Sequence, residues 1–151
     1  MHRTTQQTQS SSRVHSLLAL WAIGLTVATL REAEVMAPLG ADLLLAHPPV
    51  GNAKLQRLTA LAANHNITVA LDSVEALDGV ARAAEAARVT IGVLIEADLG
   101  MHRVGVQSPK DAVTLAQRAA GARYVAYKGL LFYPGHIREP VDQQDDALDK
   151  L

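Results

Sequence analysis

Short β-branched or leucine-rich runs alternate along this chain with stretches whose apolar residues fall three and four apart. The runs predict strands at 25–29, 42–46, 67–71, 89–97 and 123–132. The helical spacing predicts helices at 31–39, 52–64, 74–87 and 109–119, with a further one near 14–20. Alternation of the two periods is the pattern of βα units. In the helix at 52–64, Leu55, Leu58, Leu61 and Ala62 line one face, while Lys54, Gln56, Arg57 and Asn64 lie elsewhere. An outer helix packed on a sheet has that distribution. Asn52 is expected to cap this helix, and Ser108-Pro109 to open the one at 109–119, with proline at the first helical position.

The strand runs are apolar throughout rather than alternating, which predicts burial on both faces and a parallel sheet covered by helices. Five strands do not close an eight-unit barrel, which takes roughly 250 residues. The expected fold is therefore α/β: a partial (βα)8 TIM-type barrel, or else a small open sheet standing alone. Residues 1–13 are polar and expected to be disordered, 14–138 form the partial barrel, and 139–151 a helical or disordered tail in which VDQQDDALDKL adds no strand.

Composition narrows the class. At 151 residues and 49% hydrophobic, the chain can bury one core, so it is read as one globular unit. Fourteen basic and fifteen acidic side chains nearly cancel, and no basic stripe with interleaved aromatics points to nucleic acid. A charged ligand must therefore be held locally. The absence of cysteine removes disulfides and thiolate chemistry together and suits a reducing compartment such as the cytoplasm. The apolar run at 17–30 follows an acid-free start, but it is short for a membrane span of roughly 20 residues and is broken by Gly24. It is read as part of the barrel rather than as an export or membrane segment.

In βα architectures, chemistry sits at the carboxyl ends of the strands. Polar residues collect there: His47-Pro48-Pro49, Asp72-Ser73, Asp98 to Arg103, and Tyr133-Pro134-Gly135-His136. His47 either shapes a stiff turn before two prolines or meets a ligand. Asp72 and Ser73 either cap the following helix, which is the default at such a junction, or face the mouth. His102 and Arg103 follow a buried strand, where polar groups are costly unless used or paired. Arg103 offers a planar fork of donors to an anionic oxygen. Tyr133 can flank a planar ring or merely pack, and His136 is either an acid–base group or a surface residue. No glycine-rich phosphate loop, paired-histidine metal motif or nucleophile elbow is present.

Taken in order, GLTVATLREAEVM, ADLLLAHPPVGNAK, TVALDS, IEADLGMHRVGV and KGLLFYPGHI resemble the D-threonine aldolase branch of the fold-type III pyridoxal-phosphate enzymes, across residues 24–138. The wider family includes alanine racemase and D-serine dehydratase. The resemblance implies a βα barrel with pyridoxal 5'-phosphate in its mouth, a small D-amino acid as substrate, and a homodimer as the usual full-length form. It places Arg103 at the arginine of the family's G-M-x-R segment, where it meets the phenolic oxygen of the cofactor. It places Tyr133 against the pyridine ring, and sets Asp72 and Ser73 among the cofactor's neighbours. His102 and His136 match the aldolase branch and are implied partners of substrate or cofactor in catalysis.

The chain also departs from the family. The lysine that joins the cofactor aldehyde lies in a PHxKTHK-like stretch of the family's first strand, where this sequence reads HRTTQQTQSSS, and its first lysine is Lys54. The last barrel strands are missing, as is the C-terminal domain that carries the divalent-metal ligands (manganese or magnesium) in D-threonine aldolases. A truncated reading frame or decayed gene product accounts for this most simply, so that the chain alone is expected to be inactive. The alternatives are a non-catalytic pyridoxal-phosphate binder, a subunit that completes a partner's barrel, a structural remnant, or a relative of the racemases or dehydratases.

Overall fold

The computed structural model describes residues 23–149. Five strands, β1 (Gly24–Val27), β2 (Asp42–Leu45), β3 (Ile67–Leu71), β4 (Ile91–Ala97) and β5 (Val125–Phe132), form one parallel sheet in the order of the sequence. The helices α1 (Leu30–Met36), α2 (Asn52–Ala62), α3 (Val74–Ala87) and α4 (Pro109–Gly121) occupy the four crossovers. Parallel neighbours in sequence order, each pair joined through a helix, make an arc of a βα barrel. Among the described residues β1 and β5 each have one neighbour, so the arc stays open. A short 3-10 turn at Val141–Gln143 and a one-turn helix, α5 (Asp145–Leu148), complete the described chain. The expected helix near 14–20 lies outside the described residues.

Side-chain alternation along the strands sorts the two faces. Leu43, Leu45, Val69, Leu71, Ile91, Val93 and Ile95 are buried together with Leu58, Leu77, Val80, Ala84, Leu115 and Ala119 of the helices. Thr26, Leu44, Thr68, Leu94 and Lys128 face the other way and line a common concave surface. The expectation of burial on both faces is met in part: Ala70 and Glu96 are buried on the concave side of β3 and β4, whereas Thr26 is exposed there and Leu44, Thr68 and Leu94 are only partly covered, with no opposing strand over them among the described residues. On the edge strand β5, Leu130 and Phe132 are in register with Ile95 and Ala97 and so lie on the helix side, where no described helix covers them, and they remain 54% and 56% exposed. The β4–β5 register slips between Val93 and Leu94, so that Lys128 is the extra residue of a bulge, and Gly129 takes the φ of 126° that this bulge needs.

Local polar groups decide where elements begin and end. β1 stops at Val27 because the next two amides are engaged by the first turn of α1: Ala28 N and Thr29 N donate to Glu32 Oε2 at 2.8 and 3.2 Å. Glu32 N donates in return to Thr29 Oγ1, completing a capping box. β4 starts at Ile91 rather than at 89, since Val89 N is spent on Ala84 O at the end of α3, where Arg88 turns left-handed. Ser73 and Ser108 cap α3 and α4, and Pro109 occupies the first turn of α4. The expected cap at Asn52 is corrected: Gly51 holds the cap position with no side-chain bond, and Asn52 already lies inside the helix. Neighbouring helices are tied by Arg57–Glu34 and Arg118–Asp78, each a two-pronged pair of 2.7–2.8 Å bonds. At exposed sites such pairs contribute little energy.

Leu71 is fully buried while Leu130 is half exposed. Leu71→Ala is therefore expected to cost roughly 2–5 kcal/mol, and Leu130→Ala under about 1 kcal/mol. Urea unfolding of the two variants checks the difference; equal costs would contradict the placing of Leu71 in the core and of Leu130 on the uncovered edge strand.

Candidate functional site

The carboxyl ends of β3, β4 and β5 meet at one mouth, where Gly105 of the loop after β4 reaches Asp72 and Arg103 of the same loop reaches Tyr133. Its floor is Glu96, the buried charged residue of the described core, 5% exposed and next to the last residue of β4. Ile95 is buried among the helices, so strand alternation turns Glu96 to the concave side. Burial pushes its carboxyl above the usual range, and the charges of Asp72 and Asp98 add to that. Arg103 and His47 oppose them.

The segment after β4 folds back on its own strand. Asp98 N donates to Val106 O at 3.0 Å, and Val106 N to Glu96 O at 2.9 Å. Gly105, with a φ of 106°, packs so tightly on the Ala97–Asp98 peptide that a Cβ there would collide with Asp98 N. Its amide donates to Asp72 Oδ2 at 3.1 Å, which ties this loop to the end of β3. The Asp98 side chain organises the loop. Only 2% exposed, it accepts from Gly100 N at 3.0 Å, His102 N at 3.1 Å and Gln107 Nε2 at 3.1 Å. The Gln107 amide, then the backbone donors of His102 and Gly100, hold its carboxyl below the usual range.

Arg103 leaves this loop toward the mouth. Its Nη2 lies 4.0 Å from Glu96 Oε1, and its guanidinium carbon 5.8 Å from the centre of the Tyr133 ring. That pairing is within cation–π reach. The Tyr133 ring rests on the backbone of Gly135, where an added Cβ would strike it. Arg103 and Tyr133, from different strand ends, therefore stand together, as the sequence led one to expect.

The other expected residues are placed as follows. Asp72 is held by Gly105, and Ser73 caps α3 by accepting from Ala76 N, so each has a structural partner at the mouth's edge. His102, at a φ of 52°, is 81% exposed, with Nδ1 3.4 Å from Asp98 Oδ2. His136 sits over Gly100 and borders a cavity of about 400 Å³ shared with Asp98, Ile137 and Glu139. Both histidines thus flank the 98–103 loop. His47 lines a separate cleft of about 210 Å³ with Arg31 and Lys54. Glu96, Asp98 and Gln107 were given no role from the sequence. The signal for Glu96 was available: a carboxylate within the apolar run VLIEA must be buried or mark a surface. Among the described residues, no group of three or more His, Asp or Glu side chains is placed to hold a metal ion.

The model of the family described as alanine racemase, N-terminal domain, matches residues 11–151. A D-threonine aldolase of Arthrobacter sp is 34% identical over 131 residues, covering 86% of this chain and 35% of that protein. A 3-hydroxy-D-aspartate aldolase of Paracoccus denitrificans (strain Pd 1222) is 30% identical over 132 residues, covering 86% of this chain and 34% of its own length. The crystal structure of a D-threonine aldolase from Filomicrobium marinum superimposes with a TM-score of 0.85 at 32% identity, over 93% of this chain and 39% of that one. This chain spans about a third of the length of these curated aldolases. With an open arc of barrel strands, an arginine and a tyrosine meeting at their carboxyl ends, and a family model matched over nearly its whole length, the chain belongs to the alanine racemase N-terminal domain family.

Proposed function

We propose that this chain is the cofactor-seating arc of a pyridoxal-phosphate enzyme of the D-threonine aldolase kind, which cleaves D-threonine to glycine and acetaldehyde. The observation that carries this reading is the Arg103–Tyr133 pair, a planar cation beside an aromatic ring at the strand ends. The donor set fits the cofactor. Arg103 would offer its fork of donors to the phenolic oxygen, and Tyr133 would offer a flat face to the pyridine ring. When bound, pyridoxal phosphate supplies an electron sink for the charge left as the Cα–Cβ bond breaks.

The chain's own groups serve binding and proton handling. His102 lies in the loop that carries Arg103 and His136 packs against it at Gly100, and both would serve as partners of a substrate oxygen or of the cofactor. Asp98 keeps that loop folded by accepting from Gly100, His102 and Gln107. Asp72, with Ser73 beside it, braces the loop from β3 through Gly105. The divalent metal and the homodimer implied for the full-length enzyme belong to the complete assembly, whose relatives are about two and a half times as long as this chain. No helix among the described residues is long and apolar enough to cross a membrane, and the proposed place of work is the cytoplasm.

A second reading rests on the lysines. The sequence has them at 54, 110, 128 and 150. Lys54 lies in the first turn of α2, Lys110 in that of α4 and Lys128 in the β5 bulge. None falls on the family's first strand, so in this reading the chain binds the cofactor without a covalent link.

Titration of the full chain with pyridoxal phosphate, followed by absorbance, tests the seat. Saturable binding is expected, weakened about tenfold or more in Arg103→Ala, the scale of a lost hydrogen bond to a charged group. Binding that Arg103→Ala leaves unchanged would place the cofactor elsewhere. Under the same conditions the chain alone is expected to release no acetaldehyde from D-threonine, and borohydride to leave no pyridoxyl group on lysine. Cofactor-dependent aldehyde release would overturn the second reading and establish a working enzyme.

A further inference from the structure

We propose that Glu96 is a positioning residue for Arg103, anchoring the guanidinium at the inner mouth so that its donor fork meets an anionic oxygen from a fixed place beside Tyr133. This rests on the proposed function for its ligand, but not for its mechanical part.

Arg103 stands on an exposed loop and is itself half exposed, so by default its long side chain would sample many rotamers. Two contacts limit it. One is the Tyr133 ring at 5.8 Å, a soft contact that tolerates sliding. The other is the Glu96 carboxylate at 4.0 Å, on a strand whose backbone is fixed by pairing on both sides. A carboxylate placed in a barrel wall is costly without a purpose or a partner. Its neighbours are already committed: Asp72 accepts from Gly105, and Asp98 from Gly100, His102 and Gln107. Those bonds shape the loop, whereas Glu96 is the acid that makes an ion pair with the side chain of Arg103 among the described residues.

The groups facing Glu96 define how the anchor responds to pH. Arg103 and His47 favour its ionised form, while burial and the charges of Asp72 and Asp98 favour its protonated form. As pH falls, Glu96 therefore takes its proton before carboxylates held by strong partners do. Asp78, bonded to Arg118 and pushed below the usual range, provides the contrast.

The test has two arms on the full chain. In the first, 15N relaxation of arginine Nε–Hε groups is measured without ligand. Arg103 is expected to be restrained at neutral pH, to loosen as pH falls through the Glu96 titration while Arg118 stays restrained, and to be loose at every pH in Glu96→Gln. A restrained Arg103 in Glu96→Gln, or Arg103 and Arg118 loosening together, overturns the proposal. Should Glu96→Gln fail to fold, the pH series of the unaltered chain decides by itself.

In the second arm, pyridoxal phosphate is titrated into the unaltered chain, Glu96→Gln, Arg103→Ala and the double variant. Removing a negative charge near an anion site strengthens anion binding by simple electrostatics, so the sign is diagnostic. Positioning predicts that Glu96→Gln weakens binding roughly three- to tenfold in the unaltered background and has no effect beside Arg103→Ala. Strengthened binding, no change, or equal weakening in both backgrounds overturns it. If the unaltered chain does not bind the cofactor, the proposed function fails, and the relaxation arm still decides whether Glu96 holds Arg103.

Discussion

Alternation of side chains along buried parallel strands is the constraint on which the rest of this molecule depends. Leu43, Leu45, Val69, Leu71, Ile91, Val93 and Ile95 must face the helices to be buried, and once they do, the residues between them must face the concave side. Glu96 becomes the floor of the mouth because Ile95 is a wall of the core. The strands end together because they run parallel in sequence order, and their loops then have one place to meet.

At that place the chain handles charge by unequal treatment of its acids. Asp98 is surrounded by donors and stays ionised, Asp72 is tied to a backbone amide, and Glu96 is left to burial and to the guanidinium of Arg103 at 4.0 Å. Backbone amides and Gln107 keep the loop in shape, which leaves the guanidinium of Arg103 free of any hydrogen bond among the described residues and directed at Tyr133. A group intended only for structure would be expected to pair closely, as Arg57 and Arg118 do with their two-pronged carboxylate partners.

Much of this was legible in the sequence. Both periods were visible, so the strand at Ile67–Leu71 and the helix at Val74–Ala87 coincide with expectation to the residue. Boundaries shifted where polar bonding outweighed propensity: the capping box at Thr29 shortened β1, and the end of α3 claimed the amide of Val89. Asn52 was misjudged as a cap because a glycine before it left no side-chain signal. The meeting of Arg103 and Tyr133, thirty residues apart, was legible from the strand ends that carry them as well as from the resemblance, which alone implied their roles. Glu96 was missed because a strand read as uniformly apolar hides the one position where alternation matters.

Chemical-shift mapping of the full chain on addition of pyridoxal phosphate examines the shared mouth most directly. The account predicts that amides of Asp98 to Arg103, Gly105 and Tyr133 shift together with a single dissociation constant. Shifts confined to the Arg31–Lys54 cleft, or divided between sites with separate constants, would contradict it.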